Sequence, residues 1–467
     1  MVVSWRNIMR DSAIVVGGGI CGLMAALLLK QSFKKVTIIE QSDRVGGLFC
    51  SVKDDSGAHY DMGSHIPNET GINELDTLLF GELESREHYW HVIEKLQSGN
   101  YFAGEWDLNS PFPDSHKLAS EVYYQGCAEL IQATSASGSP LILSYCEETL
   151  GKTFTQHIIK PILHKLYGKH TDLNTLTVAA GLFGFTRILA FEPDVANALK
   201  NIPTFDAKIG YQTQAHFHER QSKDNSKTPN YFYPSENKGI EAWVEYLVTK
   251  VKGAGVDIIL SSSIEKIETN ERQITGVKLV NKAEVLDCQL LFWSAPPFIA
   301  LKALGLPLIF NKPELRTAIV FHLNFDLPLL DQKSHYLWVW DYQTDIFRLT
   351  LYPNLSTKSQ HANLSAEILC RPEEVEQYDV DEIVTTLKKM HVVGEGATCI
   401  SHIKQVIHGT FPVPTLEFEK NNQANFDTLK NSVDNIIISG RSGGKQWRQA
   451  DVLVAAYNDI NNYLSTE

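Results

Sequence analysis

The sequence predicts an α/β protein organised around a Rossmann-type unit, with α+β segments inserted into it. Three observations carry that expectation. A glycine-rich turn joins a short apolar strand to an uncharged helix near the N-terminus. An acidic residue closes the strand that follows, and a second strand, glycine turn and helix stand at the C-terminus.

The N-terminal stretch SAIVVGGGICGLMAALLLK has no charge from Ala13 to Leu29. That is the lower limit for crossing a bilayer, and three consecutive glycines interrupt it. A secretion signal would need a small-residue cleavage site after the apolar run, whereas Lys30 and another apolar segment follow. Ala13–Val16 instead suits a buried strand, Ile20–Lys30 a helix buried on all sides, and Val36–Ile39 a second strand ending in Glu40. Gly17, Gly19 and Gly22 fit G-x-G-x-x-G, with Glu40 roughly 20 residues further on. The first glycine permits the tight turn, the second lets backbone approach a pyrophosphate, and the third lets helix pack on strand. The helix N-terminus offers unpaired N–H groups to phosphate, and Glu40 would accept ribose hydroxyls.

At 467 residues the chain is long for one core, so two or three subdomains are expected. A net charge of −13 argues against a nucleic-acid binder, which needs a cationic surface, but leaves room for a local cationic pocket. The seven cysteines (21, 50, 127, 146, 288, 370 and 399) are scattered, odd in number and without a C-x-x-C pair. They read as reduced intracellular thiols, with a cytoplasmic location expected and neither disulfide framework nor zinc site.

After Glu40 come Gln41, Arg44 and the Gly46-Gly47 pair. An arginine fork suits phosphate oxygens, and paired glycines let the chain pass close to a flat ring. This E-x-x-x-R-x-G-G extension resembles the FAD-binding proteins of the glutathione-reductase-like superfamily. The resemblance implies FAD, held in part by Gly17, Gly19, Ile20, Cys21, Gly22, Glu40, Gln41, Arg44, Gly46, Gly47 and Leu48, with NAD(P)H a candidate reductant.

Further along, polar Glu219–Asn230 reads as a linker. Gly239–Val251 has a helical stripe of Ile240, Trp243, Leu247 and Val251, Val256–Leu260 reads as a strand, and Ile274–Val280 with Val285–Ser294 as a hairpin pair. The order resembles the return to the FAD domain in flavin amine oxidases, protoporphyrinogen oxidase and UDP-galactopyranose mutase. There the counterpart of Ile264 packs near the adenine, and a turn like Ser294–Pro297 closes the unit. The expected organisation is a discontinuous FAD domain (11–75, 228–300 and 425–467), a mainly helical substrate region (76–227) and an antiparallel-sheet substrate region (301–424).

The last segment holds a conflict. Gly440-Arg441-Ser442-Gly443-Gly444 matches G-x-S-x-G, the α/β-hydrolase nucleophile elbow, between a strand (Ile436–Ser439) and a helix. That pattern places a histidine after the serine, and none follows His408. The competing reading is a second FAD motif, in which Gly440, Arg441, Asp451 and Val452 face the cofactor.

The middle of the chain resembles the UDP-galactopyranose mutases most. Thr149–Thr177, expected to be helical with breaks at Pro161 and Gly168, is similar to their F-x(n)-P-x-x-x-K-x-(Y/W)-G segment. HYLWVWDYQTDIFRLTLYPNLS is similar to the strand whose arginine meets the substrate diphosphate, which implies that role for Arg348, with Tyr352 beside it. GTFPVPTLEFE (Gly409–Glu419) is similar to their Y-P-x-P segment, and Trp447 takes the aromatic position of their C-terminal motif. Tyr60–His65 resembles the D-x-G-x-H loop beside the flavin, so Gly63, Ser64 and His65 are implied at the cofactor, with His65 catalytic. GNYFAGEWDLNSPFP resembles a short hairpin. There are departures: the second histidine of the bacterial mutases is missing from Ile66–Glu69, Lys445 replaces a tryptophan, and a second phosphate-binding arginine has only Arg187 and Arg441 as candidates.

The resemblance implies a small-molecule substrate, a nucleotide-sugar in surface-polysaccharide synthesis. In that family reduced flavin N5 attacks the anomeric carbon and no net electrons are consumed. Tyr336, Trp338, Trp340, Tyr342, Phe347 and Tyr352 could wall a water-poor pocket, at least half of them being core instead. The alternative is an oxidase or desaturase of an amine or protoporphyrinogen-like substrate, whose cavity Ala179–Phe191 could line, a segment that otherwise suits a buried helix. A third reading is a flavin-binding protein without turnover. His216 and His218 have metal-like spacing on an extended strand but no acidic or cysteine partner, so no metal is expected. Asp381–Met390 reads as an amphipathic helix behind a capping box of Asp379 and Glu382.

Overall fold

The computed structural model describes residues 9–133, 137–223, 228–235, 238–310, 313–356 and 359–466. Part of the expected linker (224–227) and the His218 side chain fall outside these.

The apolar segments assemble a five-stranded sheet in the order Ile436–Ile438, Leu290–Trp293, β1 (Arg10–Val16), β2 (Phe33–Ile39) and Asp257–Ile259, all parallel. Strands covered on both faces need continuous apolar runs, and β1 ends in four buried residues, Ala13–Val16. Helix α1 spans Ile20–Lys30, as expected, with Leu23, Met24, Ala25, Ala26 and Leu29 fully buried. Its small residues permit close approach: a Cβ on Gly22 would stand 1.9 Å from the Gly17 carbonyl oxygen. The helix expected at Gly239–Val251 runs from Glu241 to Gly253 and buries Trp243, Leu247 and Val251 in the same core.

A seven-stranded sheet forms the second layer, in the order Cys399–Pro412, Leu315–Phe325, Ala362–Cys370, Ile346–Leu351, Tyr336–Val339, Ser98–Phe102 and Glu105–Asp107. Only Tyr336–Val339 and Ser98–Phe102 pair in parallel. The hairpin expected in GNYFAGEWDLNSPFP is present, and it carries residues 98–107 into this sheet. Helix Val380–Lys389 packs behind it through Ile383 and Leu387, with the Asp379 side chain accepting from Asp381 N–H. Helix Leu416–Ser432 runs without interruption through position 425.

Four local expectations are corrected. Val285–Ser294 is not one hairpin arm. Val285–Asp287 pairs with Gln273–Leu279 in a three-stranded antiparallel sheet, and the fully apolar Leu290–Trp293 enters the parallel sheet beside β1. The chain does not break at Pro161: a wide π-type turn over Thr155–Ile159 precedes it, and Pro161 is tolerated as the second residue of helix Lys160–Tyr167. The observed breaks are Gly151 and Gly168, both in backbone conformations outside the helical region. Ala179–Phe191 is a short 3₁₀ turn followed by loop, and His216 lies on helix Gln214–Lys223 rather than on a strand. Among the described residues no helix is long and apolar enough to cross a membrane, and no metal-binding cluster is present.

Candidate functional site

Four chain segments converge at the carboxyl edge of the parallel sheet. Val16 is paired with both Ile39 and Trp293, and Trp293 with Ile438, so the strands end level. Their continuations are Gly17, Glu40, Ser294 and Ser439-Gly440, at the crevice where open α/β sheets bind ligands.

Ser294 joins two of these turns. Its hydroxyl donates to the Val16 carbonyl at 2.7 Å. A Cβ on Gly17 would lie 2.2 Å from Ser294 Oγ, and one on Gly440 2.8 Å from Ser294 Cβ. Glu40 closes the other side: its carboxylate accepts from Gly18 N–H at 2.6 Å and Ser42 N–H at 2.8 Å. Gly46 N–H donates to Gly18 O at 2.9 Å, which lays the Gly46-Gly47 segment along the first turn. Ser262 N–H donates to the Glu40 carbonyl, and Ile264 packs on the cluster containing Ile39 and Val16.

The floor of this cradle is open. A Cβ on Gly19 would meet nothing within 4 Å, and among the described residues no side chain caps the first-turn N–H groups of α1. Those are the features an anionic dinucleotide needs, so the residues present fit FAD. Around it, Gln41 and Arg44 are exposed, Arg44 lying 3.8 Å from Glu241, and Leu48 is half-buried. Burial pushes the Cys21 thiol up to about 12, so it is no nucleophile. In the C-terminal helix Gln449–Thr466, Asp451 is exposed in the first turn and Val452 is buried. Ser442 is exposed and bonds to no histidine among the described residues, which leaves the elbow without a base.

Above the cradle, the strand Ala362–Cys370 grips segment His59–Ser64 with alternate side chains. Asn363 donates to the His59 carbonyl. Ser365 bonds to the Tyr352 hydroxyl at 2.9 Å, and that oxygen accepts Asp61 N–H at 2.8 Å. Glu367 accepts Ser64 N–H at 3.2 Å. Tyr352, expected beside substrate, is instead a buried strut between strand and loop. Next to it, Asp61 is enclosed, accepting from Tyr233, Ser51 and Ile240 N–H, and burial raises its carboxyl to about 6.

Arg348 also departs from expectation. Its Nε and Nη2 donate to the two Glu367 oxygens, both at 2.7 Å, in a bidentate pair whose side chains are 14% and 4% exposed. Its guanidinium is therefore already paired within the wall. Arg441 has no such partner: among the described residues no carboxylate lies within ion-pair reach of it. Its guanidinium carbon sits 3.6 Å from the Trp447 ring centroid and 5.4 Å from that of Phe411. Burial, then the Arg348 charge, lowers its pKa to about 10, so it stays protonated at neutral pH. His65 is held to Met62 O and faces Phe49; burial and the charges of Arg348 and Arg441 push it down to about 3, so it is neutral.

A run of aromatic rings connects the two arginines. Phe183 lies within 5.8 Å of Trp338, Phe347 and Phe411, and Phe411 within 5.9 Å of Trp447. Trp340 and Phe347 are core, and Tyr342 is exposed. Arg187 forms no side-chain hydrogen bond or ion pair among the described residues. The individual roles of Phe183, Phe411 and Glu367 were missed at the level of sequence. The one legible signal is Glu367, the lone acid in the alternating strand Ala362–Cys370.

Residues 15–77 match the NAD(P)-binding Rossmann-like domain family. The fold is one also seen in UDP-galactopyranose mutase and in putrescine oxidase. In particular, the chain is similar to reduced UDP-galactopyranose mutase, with a TM-score of 0.73 at 15% identity over 98% of this chain and 96% of that one. Among curated proteins it is 35% identical over 101 residues to all-trans-retinol 13,14-reductase of Danio rerio, and 24% identical over 293 residues to coproporphyrinogen III oxidase of Staphylococcus aureus. These matches cover 21% and 60% of this chain, and 14% and 59% of the relatives.

Proposed function

We propose that the chain binds FAD in the cradle between Gly17–Gly22, Glu40, Gly46-Gly47, Ser294 and Gly440, and isomerises an anionic nucleotide-sugar there without net redox change. The observation that carries this reading is Arg441, a largely buried cation with an aromatic platform and, among the described residues, no carboxylate within ion-pair reach. A guanidinium desolvated in this way favours a phosphate or carboxylate over a cationic amine. Its stacking on Trp447 keeps the fork in place, and Phe183, Phe411 and Trp338 exclude water from the bond to be broken. Neutral His65, whose Nε2–H is donated to Met62 O, can accept a hydrogen bond at Nδ1 without adding charge. When bound, the flavin would supply the nucleophilic and electron-storing chemistry. The fold shared with UDP-galactopyranose mutase supports the same reading, as does the sequence resemblance.

The finer assignments belong to this proposal as well: a role in surface-polysaccharide synthesis, reduction by NAD(P)H, a cytoplasmic location and no nucleic-acid partner. A second reading, an oxidase of a carboxylate-bearing substrate, is favoured by the match to coproporphyrinogen III oxidase. Arg441 would serve there equally. The two separate cleanly in one experiment on the full-length, flavin-loaded protein. Turnover of a UDP-hexose only after reduction by dithionite or NAD(P)H, with no consumption of electrons, is the expected result. Substrate-dependent bleaching of the flavin under nitrogen and oxygen uptake in air would overturn it in favour of the oxidase.

A further inference from the structure

We propose that Glu367 is a positioning residue: its carboxylate ties Arg348 to the backbone of the Gly63–Ser64 turn and balances its charge, leaving Arg441 as the unbalanced cation facing the ligand. This rests on the flavin reading above.

A buried glutamate in the middle of a sheet requires a reason, because a well-packed apolar pair often stabilises a fold as much as a buried ion pair. Holding the loop is not sufficient reason. Asn363 and the Ser365–Tyr352 pair already grip His59 and Asp61 from the same strand with neutral groups. What Glu367 adds is charge at a particular place. Both oxygens receive Arg348, and one also receives Ser64 N–H. Gly63 has φ +100°, and a Cβ there would come within 3.1 Å of Glu367 Oε2 and 3.4 Å of Arg348 Nη2, so backbone lies directly on the pair. Without Glu367, two guanidiniums near His65 would repel each other and the turn would lose an anchor. The charge count at the site, and hence the electron affinity of a bound flavin, is thereby set by a residue that need not touch substrate.

The test is made on the flavin-loaded full chain with Glu367→Gln and the double variant Arg348→Met/Glu367→Met, reading sulfite affinity and midpoint potential. Glu367→Gln keeps the shape and removes one negative charge, so sulfite should bind about tenfold more tightly and the potential should rise. The double variant removes both charges and should stay within about twofold of wild type. Unchanged values in Glu367→Gln, or a double variant that shifts as far as the single one, would overturn the proposal. Should Glu367→Gln fail to fold, the double variant carries the test, and a tenfold shift in it overturns the charge balance. A wild-type chain that binds no flavin would sink the underlying reading instead, and that is seen before any variant is made.

Discussion

The Arg441 guanidinium carbon lies 3.6 Å from the centroid of the Trp447 ring, and the two residues are only six positions apart on the turn that follows the last sheet strand. Short range makes the contact; long range gives it meaning. Phe411 and Phe183 carry the aromatic surface across to Arg348, whose own charge Glu367 already takes up.

Arg441→Met is therefore expected to weaken UDP binding by about 1.5–3 kcal/mol, the worth of a hydrogen bond to a charged group, while leaving flavin absorption in place. Arg441→Lys should fall between, because an ammonium keeps the charge but not the planar stack. Calorimetric titration with UDP measures both.

Arg348→Met should behave in the opposite manner, damaging stability more than UDP affinity. It strands Glu367, a nearly enclosed carboxylate, and loss of one partner of a buried pair costs about 3–5 kcal/mol. Urea unfolding gives the stability loss; UDP titration of the surviving fold gives the affinity.

Gly22→Ala should lower both stability and flavin retention. The new methyl would press on the Gly17 carbonyl oxygen at 1.9 Å, so α1 must move off the turn, at a cost of about 1–3 kcal/mol. Flavin content per chain after gel filtration, alongside the melting temperature, reads out both effects.

Acid sensitivity follows from buried neutral histidines. His322 is enclosed between Ser365 and Gln405, and burial pushes its pKa down to about 4. The unfolded chain takes up that proton near the ordinary value of about 6.5, the folded chain only near 4. Between those limits the unfolded state binds more protons, so stability falls as pH falls, by up to about 1.4 kcal/mol per unit for this group. Urea midpoints between pH 7 and pH 4.5 should decline, and His322→Gln should flatten the slope even if it lowers the plateau. An unchanged slope would show that His322 does not govern it.

Sequence alone determined the features written within a few residues of each other. The β1 strand, the three glycines, α1 and Glu40 are local, because a tight turn, a close helix–strand contact and a strand-end acid each demand a residue type at a fixed offset. The hairpin at Ser98–Asp107 and the capped helix behind Asp379 were legible for the same reason. Tertiary structure alone decided which charge is spent and which is free. Arg348 and Arg441 look equally available along the chain. Only the antiparallel register that sets Arg348 opposite Glu367, and the crossovers that bring Gly17, Ser294 and Gly440 to one sheet edge, tell them apart. Electrostatic partners are chosen by distance in space, and the folding of separate segments onto one sheet is what sets that distance.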